Sequence, residues 1–231
     1  MIPLKDITPW RKFSMVTTGL ILINCLVFVG EISLTPVSLQ RLVYQYGFIP
    51  SLFFSPHQLA FHIHGWLTLF TSLFLHSNWL HLTGNLLFLW IFGENLEEAM
   101  GRIKFILFYL LSGALANLSQ GVITPQLSIP MIGASGAVCA ILGAYLVFFP
   151  RAKVYTILPL GVFLKIVKVP AYFYILLWFV LQFIAGVFCP GTGTERIAWG
   201  AHIGGFLSGI ILALTLTKRK INIVKEESAY D

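Results

Sequence analysis

Ser135 stands in the segment Ile132-Gly133-Ala134-Ser135-Gly136-Ala137-Val138, which opens an apolar run that reaches Phe149 and stops at Pro150. Glycine at 133 and 136 lets another backbone come close and leaves the hydroxyl unshielded. The first-turn N–H groups of a helix have no internal partners and carry partial positive charge, so an oxyanion developing there would be stabilised. Serine among small residues in a membrane helix also serves plain packing. Nucleophilic chemistry therefore needs a base from elsewhere in the chain.

His202, in Trp199-Gly200-Ala201-His202-Ile203-Gly204-Gly205, is the candidate base. Positions 198, 202, 205 and 209 share one helical face and read Ala, His, Gly, Gly, while Gly136, Ala140 and Gly143 make a comparable line beside Ser135. Two helices edged with small residues can bring their backbones very close. That closeness lets an imidazole accept a serine proton. A lone histidine in a span is otherwise structural or part of an ion path.

His81 and Asn85 are four residues apart, on one helix face, and both can donate hydrogen bonds. Together with the Ser135 N–H they could complement an oxyanion. His76, with His57, His62 and His64, admits a competing zinc reading, but HExxH spacing is absent and no carboxylate accompanies the histidines, so no metal or other cofactor is expected. Glu31 and Glu195 read as loop residues, and the remaining acids fall on the opposite side. With no carboxylate expected at the depth of His202, a Ser–His dyad is predicted rather than a triad.

The elements that position these groups follow from composition. The 231 residues are 57% hydrophobic and 10% charged, against about 25% charged in soluble domains, and mean hydropathy is +0.84. This is an all-α polytopic membrane protein with six spans: Phe13–Val29, Trp79 to about Phe92, Ile103–Leu118, the Ser135 helix, Ala171–Phe188 and Ile197–Leu216. Gly93–Lys104 reads as a polar loop, and Arg151–Pro170 as an interfacial connection too basic to cross. Residues 1–12 and 218–231 flank a membrane domain of 13–217.

The net charge of +6 does not point to nucleic acid, because the basic residues cluster beside apolar runs. Every Lys and Arg except Arg41 and Arg196 falls at the N-terminus, in the second or fourth loop, or in the tail, which places both termini in the cytoplasm. Cys25, Cys139 and Cys189 show no CxxC spacing and read as small core residues.

Taken together the chain resembles the rhomboid family of intramembrane serine proteases, over roughly Trp66 to Gly209. The resemblance rests on His76, His81 and Asn85 as HxxxxHxxxN, on Gly133-x-Ser135-Gly136, and on Ala201-His202 followed by Gly204 and Gly205. It implies a six-helix rhomboid-like bundle around a water-filled cavity, with Ser135 as nucleophile and His202 as general base. By the same resemblance His81, Asn85 and the Ser135 N–H form the oxyanion site, with His76, Gly133 and Gly136 supporting. Substrates would be membrane-anchored proteins cut in or near their transmembrane segments. Two positions depart from the family pattern. Thr68 stands where an arginine is common, and Cys139 where an aromatic ring often packs on the histidine.

An intramembrane endopeptidase is the leading expectation. The alternative is a catalytically inactive relative that binds transmembrane clients without cleaving them, and a third is a small transporter with His81 and His202 in a proton path. The partners expected are transmembrane substrates and the bilayer. The compact core with short tails suits a bacterial or archaeal cell membrane.

Overall fold

The computed structural model describes residues 2–6, 13–54, 65–160, 163–188 and 198–216, and these are mostly helical. The first apolar run forms α1 (Met15–Ile32), whose start is held by a carboxylate far away in sequence. Glu97 accepts hydrogen bonds from the Val16 and Thr17 amides and from Thr17 Oγ1, at 3.0, 2.8 and 2.9 Å. A buried anion at the helix N-terminus satisfies two amides that the helix cannot and complements its dipole.

Two short helices, α2 (Pro36–Tyr46) and α3 (Pro50–Phe53), follow α1 in the first connection. Then comes α4 (Gly65–Thr71), continued by a 3-10 turn at Ser72–Phe74. His57, His62 and His64 lie outside the described residues. Asn117 donates to the Leu69 carbonyl and to Ser72 Oγ, each at 3.0 Å, and ties α4 into the bundle.

The helix at the place expected for the second span is longer than expected. α5 (Trp79–Phe88) runs through a π turn at Leu89–Gly93 straight into α6 (Glu94–Met100). The segment expected as a polar loop, Gly93–Lys104, is therefore helix on both sides of Gly101. That glycine takes φ of +83°, a left-handed conformation that favours glycine, and separates α6 from α7 (Arg102–Ile123). The acids were legible as polar but not as caps. Glu94 and Glu97 are buried, and so is Glu31, which sits in the last turn of α1 and not in a loop.

α8 (Ser135–Phe148) is the central helix, buried at every residue from Gly136 to Tyr145. α9 (Ala171–Phe188) and α10 (Trp199–Leu216) complete the bundle. α1, α7 and α10 are long and apolar enough to cross a membrane, and Gly65–Phe74, Ser135–Phe148 and Ala171–Leu181 are shorter apolar helices. The outer helices expose large aliphatic side chains, such as Leu26 at 70%. Such surfaces suit lipid rather than water.

The all-α expectation is corrected by a three-stranded antiparallel sheet in the order β1 (Ile2–Asp6), β2 (Lys153–Leu160), β3 (Phe163–Pro170). Lys153 pairs with Pro170 and Leu160 with Phe163, while Ile2 lies opposite Ile157. The basic connection is thus a hairpin. Its β-branched residues alternate between a face against the bundle, where Val154 and Thr156 are buried, and an outer face. Asp6 locks β1 down by accepting from Asn95 Nδ2 at 2.6 Å and from the Tyr145 hydroxyl.

Candidate active site

The small-residue lines predicted on two helices meet. A Cβ on Gly205 would strike the Gly136 carbonyl, one on Gly209 the Ala140 carbonyl, and one on Gly143 the Phe206 carbonyl. α8 and α10 therefore touch backbone to backbone along their length, as close as the absence of side chains allows. This contact brings Ser135 and His202 together, with His202 Nε2 2.9 Å from Ser135 Oγ. His202 is buried and Ser135 is partly exposed.

Ser135 begins α8, and the first amide to bond back is Val138, to the Ala134 carbonyl at 2.9 Å. The Ser135, Gly136 and Ala137 amides precede it in the first turn, where no intrahelical acceptor exists. The approach to this turn is shaped by Gly133, whose φ of +118° favours glycine. A Cβ there would lie 2.6 Å from both Cε1 and Nε2 of His81 and 3.7 Å from Asn85 Nδ2. His81 and Asn85 thus border the turn two residues ahead of the serine.

Hydrogen bonds assign the His76 tautomer in this corner. His76 Nδ1 donates to the Phe74 carbonyl at 3.3 Å, so its Nε2 accepts from Asn85 Nδ2 at 3.1 Å. The second N–H of the Asn85 amide is left for another acceptor. Ser77 Oγ accepts from Asn78 Nδ2 at 3.2 Å and shares a hydrogen bond with His81 Nδ1 at 3.1 Å. A proton on His81 Nε2 would face Gly133, as would the neighbouring Cε1. Burial and, after it, the nearby His81 hold the His76 imidazole down to about pH 4, so it is neutral near pH 7.

The arrangement can do acyl-transfer chemistry: an alcohol against an imidazole, with N–H donors around the first turn of a helix. Among the described residues no carboxylate reaches His202, whose Nδ1 has no hydrogen-bond partner. Among the described residues, which leave out His57, His62 and His64, no group of three or more His, Cys, Asp or Glu side chains could hold a metal ion.

A sequence profile described as "Rhomboid domain" matches residues 64–219. The chain belongs to the rhomboid family. Over 158 residues it is 30% identical to Rhomboid-like protein 11, chloroplastic, of Arabidopsis thaliana, which covers 66% of this chain and 53% of that protein. It is 29% identical over 157 residues to Rhomboid protein 1, mitochondrial, of Saccharomyces cerevisiae, covering 64% and 41%. With the human Presenilin-associated rhomboid-like protein, mitochondrial, identity is 28% over 151 residues, covering 60% and 35%. The chain spans about half or less of the length of these relatives.

Both departures from the rhomboid pattern have a local resolution. Thr68 donates within its own helix, to the Gly65 carbonyl at 2.6 Å. The first connection is anchored instead by Thr71, which donates to the Tyr46 carbonyl at 2.7 Å, and by a two-way backbone bridge between Phe48 and Met131 at 3.0 and 2.8 Å. This bridge ends one residue before Ile132 and braces the strand that enters the Ser135 turn. Cys139 is buried in the core, and the ring on His202 comes from Trp199, edge-on at 5.6 Å between centroids. Trp199 lies three residues before His202, a helical spacing that the sequence displayed.

Sequence reasoning missed Glu31. Both its carboxylate oxygens accept from the His76 backbone N–H, at 3.1 and 3.3 Å, so the end of α1 holds the turn that carries His76. It also missed Ser72, whose carbonyl accepts from the Gly133 N–H at 2.8 Å. No local signal marks either one.

Proposed function

We propose that this rhomboid is an intramembrane serine endopeptidase that cleaves membrane-anchored proteins in or near their transmembrane segments. The observation that carries the reading is the 2.9 Å separation of His202 Nε2 and Ser135 Oγ at the start of α8, where Ser135 is partly exposed. His202 takes the Ser135 proton as Oγ bonds to the scissile carbonyl carbon. The tetrahedral oxyanion is met by the Ser135 N–H, the His81 Nε2–H and the free N–H of Asn85. On collapse the imidazolium protonates the leaving amine. Water, deprotonated by His202, then releases the acyl chain from Ser135. His76 orients Asn85, while Gly133 and Gly136 leave room for the approach of neighbouring groups.

The same reading places six helices across the bilayer within residues 13–217, with residues 1–12 and 218–231 flanking. The helices at Ser135–Phe148 and Ala171–Leu181 and the α5–α6 rod add to the three long ones, and the distribution of Lys and Arg favours both termini in the cytoplasm. Substrate helices arrive laterally from the lipid and unwind at Ser135. With chloroplastic and mitochondrial proteins among the relatives, the compact core does not select a bacterial or archaeal membrane over an organelle. The location proposed is therefore multi-pass insertion in a bilayer.

A fluorophosphonate probe tests the dyad directly. Labelling should occur at Ser135 in wild type, vanish in Ser135→Ala, and fall sharply in His202→Ala. A transmembrane reporter should be cut only by the wild type. Reporter cleavage that survives Ser135→Ala would sink the proposal. A wild type that binds reporter, takes no label and cuts nothing would point to the inactive, client-binding relative.

A further inference from the structure

The three-stranded sheet has no part in the proposed reaction, yet its outer face is strongly patterned. Lys5 lies opposite Tyr155, and Tyr155 opposite Lys168, so the three side chains stand in one row. The two ammonium groups sit 5.2 and 5.3 Å from the Tyr155 ring centroid. Lys153, two residues before Tyr155, is exposed on the same face. Among the described residues no carboxylate pairs with any of these lysines. The single acid of the sheet, Asp6, is turned to the bundle and engaged there.

Beside the basic row the sheet is apolar. Ile2, Ile157 and Ile166 form the next row, with Ile2 and Ile166 more than half exposed. At the far end of the hairpin Phe163 is 75% exposed and Leu164 is 71% exposed. As neighbours on a strand they point to opposite faces, so the start of β3 is apolar on both sides. A partner docking on one face would leave the other apolar face in water, an aggregation hazard. A headgroup and upper acyl layer covers both. The chain places the sheet at that level, since β2 begins five residues after α8 ends and β3 runs directly into α9.

We propose that this sheet binds anionic phospholipid, with Lys5 and Lys168 holding the phosphate beside Tyr155 while Phe163 and Leu164 insert between acyl chains. Cations next to an exposed apolar edge match the two halves of such a molecule. The inference rests on the bilayer placement proposed above and is independent of the peptidase chemistry.

The test uses the full chain, delipidated in detergent and offered equimolar phosphatidylglycerol and phosphatidylcholine, with retained lipid read by native mass spectrometry. Phosphatidylglycerol should be retained in preference. Lys5→Ala/Lys168→Ala should weaken its binding on the order of 30-fold, since each basic residue near an anionic surface contributes about fivefold. Lys5→Arg/Lys168→Arg should keep it, and Ser135→Ala should bind as wild type does. Phe163→Ser/Leu164→Ser, changing only exposed positions, should lower retention of both lipids. Inorganic phosphate in excess should not displace the lipid; if it does, the site reads phosphate alone and the proposal fails. Equal retention of the two lipids, or no loss in the double lysine variant, overturns it. So does binding of poly-glutamate in place of phosphatidylglycerol, which would indicate an acidic polypeptide partner.

Discussion

The Gly136 carbonyl oxygen occupies the space that a side chain on Gly205 would need. The obstacle is backbone and cannot rotate away, so Gly205→Ala forces α10 off α8. Overpacking of this kind costs about 1–3 kcal/mol. A displacement of about 1 Å between reacting groups costs on the order of 100-fold in rate. Gly205→Ala should therefore lose both thermal stability and most reporter cleavage. Gly19→Ala in α1, where a Cβ meets nothing within 4 Å, should lose neither.

Gly133→Ala isolates the corner of the site from the bundle. The new methyl would meet the His81 ring at 2.6 Å in a backbone conformation with φ of +118°, a strain of about 1–3 kcal/mol. Cleavage should fall by about 100-fold as the donors shift. Circular dichroism should report an unchanged helix content.

The Glu31 carboxylate reaches the proposed chemistry only through the His76 backbone. Glu31→Ala leaves that buried N–H unpartnered at a cost of about 1–3 kcal/mol, and His76 is the group that holds Asn85. We expect kcat to drop by about tenfold with KM nearly unchanged. Glu31→Gln, whose amide oxygen still accepts, should retain most of the rate. Steady-state kinetics on a reporter distinguishes the two variants.

Glu97 stands at the other end of α1. Removing the cap in Glu97→Ala should destabilise the protein by about 0.5–2 kcal/mol, measured by denaturant unfolding in micelles. Fluorophosphonate labelling per folded molecule should remain as in wild type. The contrast with Glu31→Ala separates a structural carboxylate from a positioning one.

The low proton affinity of His76 carries a pH signature. Its folded value of about 4 lies below the ordinary 6.5, with burial the main cause. The unfolded chain therefore binds the proton first. This contribution is complete above pH 6.5 and is lost as pH falls from 6.5 towards 4. Thermal unfolding from pH 8 to pH 4 should show that loss in wild type. In His76→Gln the fall over that interval should be shallower.

Much of the site is readable along the chain because its ingredients are local. Small residues at helical spacing mark Gly136, Ala140 and Gly143 and their counterparts Gly205 and Gly209. Apolar content marks the helices, and α9 runs over the very range expected for the fifth span. His81 and Asn85 share a face because a helix repeats every 3.6 residues. Each of these inferences depends only on residue type and short-range period.

Other features depend on which distant segments meet. An acid reads the same in sequence whether it ends a loop or caps a helix, so Glu31 and Glu97 became intelligible only once the His76 and Thr17 amides were seen beside them. The hairpin at 153–170 was hidden for a related reason. Its lysines argued correctly against a span, but pairing with Ile2–Asp6 joins strands some 150 residues apart, beyond any local periodicity. The sequence carries the period and the chemistry of each element, while the closing of long loops settles which buried donor meets which acceptor, because a hydrogen bond in the interior is made by proximity in space.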